Sequence, residues 1–137
     1  MANADIAAAA KSYEALFARN DLDVEALGHA YHDAARAAVR CGFGPAVAIA
    51  AAGDGNAAHW RARAIEWLQA EVRRCRLRIE SGTQDAGIQA QTFLRGLRND
   101  PELEVVRGEA MLAAFAAADA AALRAIWAEV DALVGRK

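Results

Sequence analysis

The stretch Ala57-Ala-His-Trp-Arg-Ala-Arg-Ala-Ile-Glu-Trp-Leu-Gln-Ala-Glu-Val-Arg-Arg-Cys-Arg-Leu-Arg-Ile-Glu80 decides the fold class. It carries no proline or glycine, and its apolar residues recur at helical spacing. At about 100° per residue, Ala64, Ile65, Leu68, Val72, Cys75 and Ile79 fall in one stripe about 100° wide, the width of a core-facing helix surface. Gly82 ends the pattern.

Working outward, six further helical segments follow from period and punctuation. A helix over 4–18 places Ile6, Ala10, Tyr13 and Phe17 on one line. Asp21 or Asp23 caps a second helix running to about Arg40, with Leu27, Tyr31, Ala34 and Ala38 inward. Cys41-Gly42-Phe43-Gly44-Pro45 interrupts it, and Pro45 opens a short apolar helix over 45–52, since proline at the first helical position loses no bond it could have made. Gly53 to Asn56 is a turn, with Asn56 as a cap. Beyond Gly82, helices are expected over 84–98 (Ile88, Phe93, Leu94 and Leu97 inward), over 101–117 behind an Asn99-Asp100-Pro101 cap, and over 119–134. The last has Leu123, Ile126, Trp127, Val130, Leu133 and Val134 within about 120°. No strand pattern competes. The expectation is an all-α bundle of about six to seven helices forming one domain over 1–137.

Composition agrees. The chain has 137 residues, of which 38 are alanine and two proline. Alanine loses no side-chain entropy on entering a helix, and its small volume lets helices approach closely. A chain of this length buries about two-thirds of its unfolded surface without disulfide or metal staples. Cys41 and Cys75 make neither a disulfide framework nor a paired zinc motif. No basic, apolar leader is present, and no apolar run approaches the ~20 residues of a membrane span. A cytoplasmic protein with free thiols and no membrane association is expected.

The net charge of −2 hides an uneven distribution. Residues 1–35 hold two bases against six acids, residues 36–78 eight arginines against three acids, and residues 79–137 six bases against nine acids. The +5 middle suits a polyanion or an acidic partner surface. Its focus is Arg61, Arg63, Arg73, Arg74, Arg76 and Arg78, with Glu66 and Glu71 in opposition. Arg74 and Arg78 share an edge of the helix with Trp60 and Trp67, and Arg63 sits just beyond. Arg73 and Arg76 point further away. Guanidinium groups pair with phosphate oxygens as planar forks, and indole faces stack on bases. The six arginines and two tryptophans are therefore the candidate RNA-binding residues, and a solvated face with tryptophans at the core edge is the competing reading.

No catalytic residue, cofactor or metal is expected. Glu25, His29 and His32 have metal-ligand spacing on one helix face, followed by Asp33, yet no second carboxylate-rich helix or repeated Glu-x-x-His completes a site. His59 has no carboxylate or cysteine neighbour in sequence. Cys41 precedes Gly42 at a helix C-terminus, which does nothing to lower a thiol pKa. Gly42-Phe43-Gly44 and Gly53-Asp54-Gly55 lack the strand and the lysine of a phosphate loop, so they are turns.

From Tyr31 to Leu68 the order of features resembles the small subunit of Cmr-type (type III-B) CRISPR effector complexes. Tyr31 to Arg40 matches a helix with an early tyrosine, and Cys41-Gly42-Phe43-Gly44 a turn close to Asn-Gly-Leu-Gly. Pro45 to Ala52 matches a short apolar helix, Gly53 to Asn56 a loop, and Trp60 with Trp67-Leu68 the helix that follows. Cys41 and Phe43 depart from the pattern, and the final ~55 residues do not align. The resemblance implies a non-catalytic subunit that stacks with copies of itself beside other effector subunits and lines the path of guide and target RNA. Two alternatives stay open: a helical interaction module, toxin-neutralising or chaperone-like, and a metal-dependent enzyme centred on His29 and His32.

Overall fold

Every element of the computed structural model is helical, and no strand occurs among the described residues, which are 3–19, 30–43, 57–113 and 115–135. The elements are α1 (Asn3–Phe17), α2 (Ala30–Phe43), α3 (Ala57–Ser81), α4 (Gln84–Arg98), a 3-10 helix (Pro101–Val106), α5 (Glu109–Leu112) and α6 (Ala117–Val134). The chain is thus all-α. The beginning expected for the second helix, the expected helix over 45–52, and Glu25 and His29 lie outside the described residues. No described helix is long and apolar enough to cross a membrane.

Contacts group the chain into two compact units, Met1–Trp67 and Leu68–Lys137, and the division falls inside α3. In the first unit α1 packs on α2. Ile6, Ala7 and Ala10 of α1 are buried, as are Ala34, Ala35, Ala38 and Val39 of α2. Larger side chains fill the rest: Phe17 stacks on Tyr31 at 4.4 Å between ring centroids and meets the Trp67 ring edge-on at 5.3 Å. Trp60, Ala64 and Trp67 are the buried line of α3 in this unit.

α2 does not stop at Arg40 as the glycines suggest; it runs through Phe43. The missing side chain of Gly42 explains this. A Cβ there would sit 2.6 Å from the backbone nitrogen of Arg61, so glycine is needed for the close approach of α3 and not for a turn. The Gly42 carbonyl, one of the last that α2 cannot satisfy internally, accepts a 2.6 Å hydrogen bond from Arg61 Nε.

In the second unit α4 packs on α6. Thr83 Oγ1 accepts from Ala86 N at 3.1 Å and starts α4. Ala90, Leu94 and Leu97 face inward, whereas Ile88, expected in the core, is 52% exposed. Leu123, Ile126, Trp127, Val130 and Leu133 of α6 are buried as its period requires, and Val134 is half-buried.

The helix expected over 101–117 is not continuous. Asp100 Oδ1 does cap Pro101–Val106, accepting from Glu102 N at 2.9 Å, but the segment winds as a 3-10 helix. Two carbonyls that an α-helix would use are taken elsewhere. Asp100 O accepts from Leu103 N and from Arg107 Nη1, and Val106 O accepts from Trp127 Nε1 at 2.8 Å. Gly108 is extended and caps the four-residue α5.

Candidate functional site

The six arginines of α3 meet different fates, which helix spacing alone does not reveal. In the first unit, Arg61 is tied to Gly42 O, with its guanidinium 5.6 Å from the Phe43 ring centroid. Arg63 is clamped between two carboxylates. Its Nε donates to Glu14 Oε2 at 2.7 Å and its Nη1 to Glu66 Oε2 at 2.8 Å. His59 Nε2 lies 2.6 Å from the same Glu14 oxygen, so the histidine that lacks a carboxylate neighbour in sequence gains one from α1.

Burial alone would raise the Glu14 carboxyl pKa. The hydrogen bonds from Arg63 and His59 outweigh it and hold the group below the ordinary carboxylate range. The same bonds from Glu14 and Glu66 raise the Arg63 guanidinium pKa. A cleft of about 130 Å³ lies against this cluster, lined by Glu14, Phe17, Arg63, Glu66 and Trp67.

In the second unit, Arg74 is not on the surface. Its residue exposure is 4%, and Nη2 donates to Glu71 Oε1 at 2.9 Å within the same helix. Trp60 and Trp67 are 2% and 3% exposed. The line of arginines and stacking indoles expected along one edge of α3 therefore contains three buried members, Arg74, Trp60 and Trp67, which offer no face to a base or phosphate. Their helical register put them at the margin of the apolar stripe, and the buried surface extends past that margin.

Arg73 and Arg76, which point away from the tryptophans, remain accessible to solvent. Arg73 is exposed and makes no hydrogen bond or ion pair with a described residue. Arg76, at i+3, donates from Nη1 to Glu129 Oε1 at 2.6 Å, both side chains remaining more than a third exposed. Arg78 has a neutral partner, donating to Gln89 Oε1 at 3.1 Å. Arg73 and Arg76 line a cleft of about 340 Å³ between α3 and α6, opposite Ala122, Ala125 and Glu129. No sequence signal marks Glu129, 53 residues from Arg76, because it looks like any acid on the polar face of α6.

Cys41 and Cys75 are buried free thiols. Burial pushes the Cys41 thiol pKa up against the opposing pull of Arg40 and Lys11. Asp33 lies 3.7 Å from Arg36 one turn on, and no group of three potential metal ligands occurs among the described residues. No family model, curated protein or solved structure matches the chain.

Proposed function

We propose that the chain is a non-catalytic subunit of a type III RNA-guided effector complex that holds the backbone of guide or target RNA through α3. The observation that carries this reading is the pairing of Arg73 and Arg76 on one open face, above a cleft floored by alanine. Two guanidinium forks one turn apart suit successive phosphates, and a small-residue floor lets a backbone approach. The early Tyr31 of α2 and the Trp60 and Trp67-Leu68 of α3 support the family part of the reading, while Cys41–Phe43 continues α2 as helix in place of the expected turn. Sequence-blind binding of this kind needs phosphate contacts and no base readout, so buried indoles do not oppose it.

One monomer makes few contacts, so affinity alone is weak and rises through avidity in an assembly. The test is retention of single-stranded RNA by the Arg73→Glu/Arg76→Glu variant across a salt series, alone and with type III effector subunits. The wild-type chain is expected to lose affinity with salt at a slope of about 0.7 per phosphate contact, and the variant to lose retention at all salts. Unchanged retention with the same slope removes the reading.

A second reading has one observation in its favour. Three of the six arginines, Arg63, Arg74 and Arg76, already hold carboxylates of this chain. Arg73 would hold a partner's equally well, making the face a dock for an acidic protein. Weak, salt-independent RNA retention beside tight binding of an acidic protein would favour it.

A further inference from the structure

The cleft between α3 and α6 already contains an anion of the protein's own. Gln69, Arg73 and Arg76 line one wall at i, i+4 and i+7 of α3, so they share a face. Ala122 and Ala125 of α6 lie opposite and carry nothing beyond Cβ that could fill the space before the guanidiniums. Glu129, one turn further along α6, reaches across to Arg76 at 2.6 Å. Arg73, one turn back on α3, is left without a described partner.

We propose that Glu129 is a built-in competitor for the phosphate group that the Arg73–Arg76 cleft binds, so that binding requires the Arg76–Glu129 pair to open. This rests on reading α3 as the phosphate-contacting helix, and adds how that contact is controlled. The carboxylate stands where a phosphate oxygen would stand, and as a partly exposed pair it exchanges readily with solvent. A ligand that engages Arg76 alone must displace Glu129 for one new bond and gains little. A phosphate that bridges Arg73 and Arg76 gains both forks and wins the exchange. Glu129 thus selects phosphate groups that span the two arginines against single carboxylates. The shared chemistry is a phosphate group, from an RNA backbone or from a free oligophosphate.

The experiment compares the full-length wild type with Glu129→Gln, which keeps the side chain's size and its amide oxygen but removes the charge. The probes are a ten-nucleotide oligouridylate and inorganic pyrophosphate. Glu129→Gln should bind the oligouridylate about two- to fivefold more tightly, the range in which an exposed pair competes. Adding Arg73→Glu to Glu129→Gln should abolish the gain. Glu104→Gln removes the same charge from an exposed position of the 3-10 helix. An equal gain there would reduce the effect to net charge and overturn the proposal.

Equal oligouridylate binding by wild type and Glu129→Gln overturns the proposal while leaving the RNA reading of α3 standing. Pyrophosphate binding tightened by Glu129→Gln, with no oligouridylate binding by either protein, supports the competitor and removes the RNA reading. Binding of neither probe by either protein overturns both.

Discussion

Glu71 and Arg74 form a buried ion pair within one turn of α3, each side chain 3% exposed, with Nη2 2.9 Å from Oε1. Taking two charges out of water is costly, and their mutual attraction repays it only while both are present. Arg74→Met alone should therefore destabilise the fold by about 3–5 kcal/mol, because it removes the cation that balances a buried carboxylate. The Glu71→Leu/Arg74→Met double variant should recover most of that loss, as measured by urea denaturation. A double variant no more stable than the single would show that Glu71 is held by more than Arg74. Charge reversal at Arg74, which its sequence position recommends as a test of RNA binding, would instead place two carboxylates together in the interior.

The second unit should depend on Trp127 in two separable ways. Its indole is 8% exposed and its Nε1 donates to Val106 O at 2.8 Å, closing the end of the 3-10 helix. Trp127→Ala is expected to cost about 3–5 kcal/mol through lost volume. Trp127→Phe keeps most of the apolar contact and strands the carbonyl, a penalty of about 1–3 kcal/mol. Thermal unfolding of both variants separates the two contributions, and an unchanged melting temperature for Trp127→Ala would mean the ring does not support the core.

Periodicity made the helices legible wherever local sequence dominates, as in α3, α4 and α6. It failed where the outcome depends on what approaches from elsewhere. Gly42 looks like a helix stop, yet the backbone of Arg61 occupies the place of its missing side chain. The 101–117 segment looks like one helix, yet Trp127 and Arg107 take carbonyls its ladder would need. At the candidate site, composition marked the arginine-rich helix but not which of its arginines are buried or held by carboxylates. Burial of Arg74 and capture of Arg63 by Glu14 depend on side chains that no spacing rule brings together.

Gly42→Ala should report the close approach directly. A Cβ 2.6 Å from Arg61 N cannot be relieved by a side-chain rotation, because the obstacle is backbone. Alanine's higher helix propensity favours α2 by up to about 1 kcal/mol, and the overlap costs about 1–3 kcal/mol, so the net change should be destabilising. A melting temperature that rises instead would mean that α2 and α3 separate at this crossing without cost.

The Glu14 cluster gives the first unit a defined acid sensitivity. The folded-state pKa of Glu14 lies below its ordinary 4.5, so the unfolded chain binds the proton more readily than the native one. Its stabilising contribution is therefore complete above about pH 4.5 and is lost as the pH falls through the lower folded-state value. Its main partner Arg63 stays charged throughout that range, so the loss follows the carboxyl alone. With the Glu14 and Arg63 side chains each about a third exposed, at 31% and 35%, solvent screens the pair, and about 1 kcal/mol is the scale to expect. Glu14→Gln should lower stability by that amount near neutral pH and flatten the decline in acid. The check is a series of denaturation curves from pH 7 down to about pH 3 for both proteins. Parallel curves, with the variant's deficit unchanged at the acid end, would mean that Glu14 titrates no differently in the folded and unfolded chains. Ionisation of Glu14 would then contribute nothing to the fold.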